Sequence, residues 1–308
     1  MSKLCHQSYA WDFMKKMVIL MVFSTLVLAS CGKKSESSHG SSNSKGSSQV
    51  KSQNITVKGS DTMVILGQKW AETYMKGHKG TTIQVTGGGS GIGIAALING
   101  TTLIANASRA MKAKEKKKIA AKGWELVEIR TSLDGLSVYI NKDNPVTELS
   151  FSQMDKIYRT IITNWKDVGG KDAKIIVYGR DNSSGTYAYF KKHVLLKKDF
   201  SQKVQKLPGT AAIVNAVTKD VNGIGYGGKA YAEGIKVVKI KKEDSDTAYK
   251  PTDESVPSGK YPLARPLFIY TLKKNLKKNP EAKKYIDWIL SSEGQKIVKD
   301  VGYYPLNK

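Results

Sequence analysis

Three times along this chain a short β-branched run leads into a turn of glycine and hydroxyl residues and then directly into a helical pattern. Residues 55–57 run into Gly59-Ser60-Asp61-Thr62, and Val64, Leu66, Trp70 and Tyr74 follow at near-helical spacing. Residues 81–86 alternate as a strand, then meet Gly87-Gly88-Gly89-Ser90-Gly91 and a helical run over 92–98. Residues 175–178 lead to Gly179-Arg180-Asp181-Asn182-Ser183-Ser184-Gly185-Thr186 and a helix over 187–194. Parallel strands need long crossovers, usually helical, so this alternation predicts an α/β fold: a mainly parallel sheet with helices on both faces. Further strands are expected at 104–107, 236–240 and 267–272, and consecutive ones at 126–130 and 136–141. Helices are expected at 112–122, a charged and solvent-facing one, and at 152–161, 213–218 and 282–298. No internal repeat of fixed period is present.

Each turn brings the same chemistry to a helix start. The N–H groups of a first helical turn lack intrahelical partners and lie at the positive end of the helix dipole. Glycine lets an anion approach the backbone, and Ser and Thr hydroxyls add neutral donors. Ser60-Asp61-Thr62, Gly89-Ser90-Gly91 and Ser183-Ser184-Gly185-Thr186 together describe an oxyanion cradle. Capping and turn formation would explain any one of them alone, whereas three in one α/β chain point to a ligand. Arg109, after Ser108, and Arg180 stand beside such loops, and a guanidinium fork meets an oxyanion at two points. A surface ion pair is the alternative for each. Asp61 and Asp181 bear on selectivity. A carboxylate accepts a hydrogen bond from protonated phosphate but faces sulfate unpaired. Their plainer roles are an N-cap for Asp61 and a partner of Arg180 for Asp181.

Charge and motif content narrow the function. Fifty Lys and Arg against 26 Asp and Glu give +24, which attracts anions without choosing among them. The aromatic-rich basic stripe of single-strand binders is missing, so nucleic acid is not expected as the primary partner. The four histidines, at 6, 39, 78 and 193, are scattered, and no metal or cofactor is expected. There is no Gly-x-x-x-x-Gly-Lys-Ser/Thr loop, and Gly91-x-Gly93-x-x-Ala96 matches the dinucleotide fingerprint only loosely. No Gly-x-Ser-x-Gly elbow frames Ser90 or Ser184, and no base stands near either in sequence, which argues against a phosphatase or any other enzyme.

The N-terminal segment reads as an address. Lys15 and Lys16 precede an apolar run over 17–28 that ends in Leu28-Ala29-Ser30-Cys31. A basic flank, a short apolar core and a small-residue cleavage site describe an export signal over residues 1–30. This run of 12 residues falls short of the roughly 20 that a spanning helix needs. Met14-Lys15-Lys16 already reads as a signal start, which leaves residues 1–13 as an extra stretch. Leu-Ala-Ser-Cys resembles the bacterial lipobox, which implies that Cys31 is lipidated and becomes the first mature residue. Cleavage would remove three Lys and one Asp, leaving +22, and would remove Cys5, the only other cysteine. Residues 31–53, rich in Ser, Gly and Lys, read as a flexible tether. The expected location is the cell envelope, outside the cytoplasm and lipid-anchored to a bacterial membrane.

Gly59-Ser60-Asp61-Thr62-Met63, Gly87-Gly88-Gly89-Ser90-Gly91-Ile92-Gly93, Ala107-Ser108-Arg109 and Arg180-Asp181-Asn182-Ser183-Ser184-Gly185-Thr186 occur in this order. Together they resemble the PstS family, the phosphate-binding proteins of bacterial phosphate ABC transporters. Gly223-Ile224-Gly225-Tyr226 and Tyr261-Pro262-Leu263-Ala264-Arg265-Pro266-Leu267 resemble later segments of that family, so the likeness covers about 54–308. It implies a two-lobed periplasmic-binding-protein type II fold, with a ligand cleft between lobes joined by two hinge crossings. It also implies capture of inorganic phosphate and delivery to a membrane ABC permease with its ATPase subunits. Sulfate, molybdate or tungstate is the alternative cargo. The resemblance assigns phosphate contacts to Ser60, Asp61, Thr62, Ser90, Ser108, Arg109, Arg180, Asp181, Ser184, Gly185 and Thr186. Well-known members carry an aspartate where Arg109 stands and another where Asn182 stands. The proton-accepting carboxylate is then Asp61 or Asp181, or the cleft lacks one. Shorter lipoprotein members also carry an arginine after the serine. The crossings are expected near Asp134-Gly135 and Tyr261-Pro262, giving one lobe of 54–135 plus 262–308 and another of 136–261.

Overall fold

The computed structural model describes residues 53–306. The expected signal, Cys31 and all but the last residue of the tether lie outside the described residues. β1 (Gln53–Gly59) leads through a short turn to α1 (Val64–Gly77), β2 (Thr81–Gly88) to α2 (Ser90–Asn99), and β3 (Ile104–Ala107) to α3 (Ala113–Ala120). A long β4 (Leu126–Ile140) precedes β5 (Glu148–Ser150), α4 (Phe151–Tyr158), β6 (Ile176–Arg180) and α5 (Gly185–His193). Then come β7 (Gln205–Leu207), α6 (Gly209–Lys219), β8 (Gly223–Gly228), β9 (Lys236–Val237) and β10 (Lys239–Lys241). β11 (Ala264–Leu272), α7 (Lys273–Lys278), α8 (Pro280–Ile289) and α9 (Ser292–Asp300) follow.

The main sheet runs β2-β1-β3-β11-β4-β8-β6-β7, with β9 also beside β4. β2, β1 and β3 are parallel, and so are β8, β6 and β7. Between these groups β11 and β4 run antiparallel to each other and to their outer neighbours. The parallel strands have their expected character: β3 is buried along its whole length, and β1 buries Ile55, Val57 and Gly59 at every second position.

β4 links the two halves of this curled sheet. It pairs with β11 over residues 126–135 and with β8 over 136–140. The apolar core divides at the same place. Ile55, Trp70, Ile83, Ile269 and Ile286 belong to one cluster, and Leu136, Val138, Ile157, Phe190 and Tyr226 to another. Two lobes therefore meet along β4 and β11.

The structure differs from the sequence reading at several places, two of them with a plain physical cause. The expected strands at 126–130 and 136–141 are one, because Thr131, Ser132 and Asp134, polar enough to suggest a turn, are fully buried within β4. The helix expected at 282–298 is two. Ser291 ends the first stretch, and its hydroxyl accepts from Gly294 N–H to cap α9. The strand at 236–240 divides between β9, on the main sheet, and β10, on β5. The antiparallel pair at the centre of the sheet was not anticipated, nor were the three-residue strands β5 and β7.

Candidate functional site

The turns after β1, β2, β3 and β6 meet at the carboxyl ends of their strands, where open α/β sheets hold ligands. The β1 turn brings Ser60, Asp61 and Thr62. α2 begins at Ser90, Ser108 follows β3, and α5 begins at Gly185. Glycine makes this approach possible. Gly89 sits at φ +103°, and a Cβ there would come within 2.6 Å of Ser183 Oγ. Two contacts cross beside it: Gly91 N–H donates to Ser183 O at 2.9 Å, and Ser183 Oγ lies 2.9 Å from Gly88 O.

Within the cluster one carboxylate faces one buried guanidinium. Arg180 is 1% exposed, and its Nη2 donates to Asp61 Oδ2 at 2.6 Å. Nη1 donates to Thr210 Oγ1 at 3.1 Å, and Nε is buried with no partner. Gly88 N–H donates to the other Asp61 oxygen at 2.7 Å. Asp61 is therefore no helix cap. It ties the β1 turn to the β2 turn and to β6.

The surrounding hydroxyl oxygens accept N–H bonds. Ser90 Oγ accepts Ser108 N–H at 3.0 Å, Ser184 Oγ accepts Tyr187 N–H at 3.2 Å, and Thr186 Oγ1 accepts Arg265 Nη2–H at 3.1 Å. A hydroxyl has one proton, so each of these oxygens, already accepting an N–H, has its own proton left to donate. Thr186 and Thr62 stand 2.8 Å apart, oxygen to oxygen. Ser60 Oγ–H donates to Ser108 Oγ at 2.9 Å, and Ser90 Oγ lies 3.3 Å from the same atom. The arrangement suits an acceptor-rich anion with one proton to give to a carboxylate.

Two of the expected residues are not brought into this cluster. Arg109 forms a fork on Glu115, Nη1 and Nη2 each at 2.8 Å, and Nη1 also donates to Ala110 O at 3.0 Å. Burial alone would raise the Glu115 pKa, but the Arg109 fork and the Lys112 N–H together hold it below the ordinary glutamate range. Asp181 Oδ1 accepts Ser183 N–H at 2.7 Å and also the Ser183 hydroxyl, so it shapes the turn and does not pair with Arg180.

The sequence reading missed the support beneath the cluster. Arg265 and Asp134, directly opposite in the β11–β4 register, are 1% and 0% exposed. Arg265 Nε and Nη2 both donate to Asp134 Oδ2, at 3.0 and 2.8 Å, and Nη1 donates to Ser108 O at 3.2 Å. Burial raises the Asp134 pKa, and the Arg265 charge opposes that. Tyr231 O–H donates to Asp61 O at 2.7 Å, and Tyr303 O–H donates to Thr62 O. A buried Arg and Asp within apolar strands is a signal the sequence carried, but their pairing depends on a strand register that it does not display. Among the described residues no three His, Cys, Asp or Glu gather as metal ligands.

Comparison with known proteins places this geometry. A family model described as a PBP superfamily domain matches residues 38–293. A phosphate-binding protein PstS of Staphylococcus epidermidis is 36% identical over 286 residues, 91% of this chain and 85% of its own length. A protein of the same name from Pseudomonas aeruginosa is 33% identical over 268 residues, 82% of this chain and 83% of its own. The crystal structure of a putative phosphate ABC transporter substrate-binding protein with bound phosphate, from Clostridium perfringens, superposes with a TM-score of 0.75. It is 31% identical and covers 82% of this chain and 100% of its own.

Proposed function

The chain belongs to the PstS phosphate-binding family of the PBP superfamily, and from that premise we propose a residue-level account of how it captures inorganic phosphate. The protein is a solute-binding component of a phosphate ABC transporter, not an enzyme. Phosphate lies among Thr62, Ser90, Arg180, Ser184, Gly185 and Thr186. The hydroxyls, the N–H groups of Ser90, Gly185 and Thr186 at the starts of α2 and α5, and the unspent Arg180 Nε donate to its oxygens. Asp61 accepts its proton. Ser60 and Ser108 hold the hydroxyl chain, Asp181 shapes the β6 turn, and Arg109 braces the segment after β3.

The observation that carries this reading is the single carboxylate, Asp61, set against Arg180 among hydroxyls whose oxygens already accept N–H bonds. Sulfate brings no proton to place between its oxygens and that carboxylate, so the two would repel, which disfavours the other-oxyanion reading. The lobes are 54–135 plus 262–308 and 136–261, and they open and close about β4 and β11. Cys31 carries the lipid anchor, residues 1–30 are removed, and the loaded form delivers its phosphate to the membrane permease.

Equilibrium dialysis with labelled phosphate tests the capture step. One phosphate per chain is expected, and Arg180→Met should lose at least about 100-fold in affinity, as removal of a buried charged partner does. Unchanged binding by that variant would remove Arg180 from the site. Incorporation of labelled palmitate that persists in Cys31→Ala would contradict the anchor.

A further inference from the structure

Arg265, which touches Ser108 and Thr186 of the cradle, also lines a cavity of about 330 Å³. Met111, Tyr189 and Phe268 give it apolar walls. Lys112, Lys192 and His193 stand around it with Arg109 and Arg265, and no acidic residue lines it. The two arginines are spent on Glu115 and Asp134. Lys112, after β3, and Lys192, on α5, form no ion pair among the described residues.

Glu115, the nearest counter-charge, is engaged by Arg109 and only partly offsets what lowers the Lys112 pKa. Burial and then the Arg109 charge lower the Lys112 pKa, while burial and then Lys192 lower that of His193. The aromatic wall is fixed: Tyr189 O–H donates to Ala264 O at 2.8 Å, and the His193 ring stacks on it at 4.2 Å.

We propose that this cavity is a second anion site, separate from the cradle, which takes a compact organic phosphate monoester. The phosphate group lies between Lys112 and Lys192, and the organic body rests on Met111, Tyr189 and Phe268. An inorganic oxyanion would satisfy the lysines but leave the apolar walls facing water. α5 joins the two sites. Its first turn carries Gly185 and Thr186, and its later turns carry Tyr189, Lys192 and His193.

Calorimetric titration with phenyl phosphate tests this on protein preloaded with inorganic phosphate and freed of excess. One further equivalent should bind without displacing the phosphate. The same affinity is expected in Arg180→Met, whose cradle is disabled, so failure of the cradle reading would not hide this site. The double variant Lys112→Gln, Lys192→Gln should bind the ester at least tenfold more weakly and inorganic phosphate within twofold of the parent. Glycerol phosphate, with the same head and no apolar body, should bind several-fold more weakly than phenyl phosphate. No heat from the loaded protein, displacement of the loaded phosphate, or unchanged affinity in the double variant would overturn the site. Equal affinity for the two esters would overturn the apolar body.

Discussion

A hydroxyl whose oxygen already accepts an N–H still has its own proton to offer an anion. Ser90, Ser184 and Thr186 each meet that condition with an N–H from Ser108, Tyr187 or Arg265. Thr186→Val keeps the shape and removes the donor. It should weaken phosphate binding by about 10-fold, the worth of one hydrogen bond to a charged ligand, in equilibrium dialysis. Unchanged affinity would take Thr186 out of the contact set. The hydroxyls were legible because Ser, Thr and Gly cluster at three helix starts. Their N–H partners were not, since for Ser90 and Thr186 those groups come from positions 18 and 79 residues away. Asp61 and Asp181 were equal candidates in the sequence. Only the fold separates them, by sending Asp61 to Arg180 and Asp181 back onto its own turn.

The elements bring these groups together only if their ends can touch. A Cβ on Gly185, at the start of α5, would lie on the Ser90 hydroxyl and 2.7 Å from that of Ser108. Gly185→Ala should therefore fold but fail to close, losing phosphate affinity by well over 10-fold while its melting temperature without phosphate stays near the parent. A comparable loss of stability would instead make Gly185 a folding position. The Arg109–Glu115 fork belongs to the same scale. Because the folded Glu115 pKa is depressed, the stability it adds is present above the ordinary glutamate value and is lost as pH falls through the folded value. Glu115→Gln should lower the melting temperature at neutral pH, flatten its decline toward acid and leave phosphate affinity nearly unchanged. A large loss of affinity would return Arg109 to the ligand set. Sequence periodicity found most helices and strands because their apolar positions repeat locally. It missed the continuity of β4 and the break between α8 and α9, where buried polar residues or one capping serine decide the outcome.

Across the whole molecule, the two strands that link the lobes carry a buried ion pair that also supports the ligand loop. Asp134 and Arg265 face each other in β4 and β11, and Arg265 reaches Thr186 on α5. Removing Asp134 alone leaves a buried charge and should cost roughly 3–5 kcal/mol of stability in denaturant unfolding. The double variant Asp134→Leu, Arg265→Met should recover most of that loss yet bind phosphate more weakly than the parent, because Thr186 then lacks its donor. Full recovery of affinity would make the pair structural only. The two-lobed plan was legible through the PstS resemblance, whereas this pair required the strand register. The central claim is that phosphate is recognised in this cradle through its proton, with Asp61 as the acceptor. Its most direct test is calorimetric titration of protein stripped of ligand by unfolding and refolding, with phosphate and then sulfate, in the parent and in Asp61→Asn. The account predicts one phosphate per chain and no sulfate heat for the parent, and for the variant a phosphate affinity at least tenfold weaker with a narrowed preference over sulfate. Equal binding of sulfate by the parent, or an unchanged preference in the variant, would contradict it.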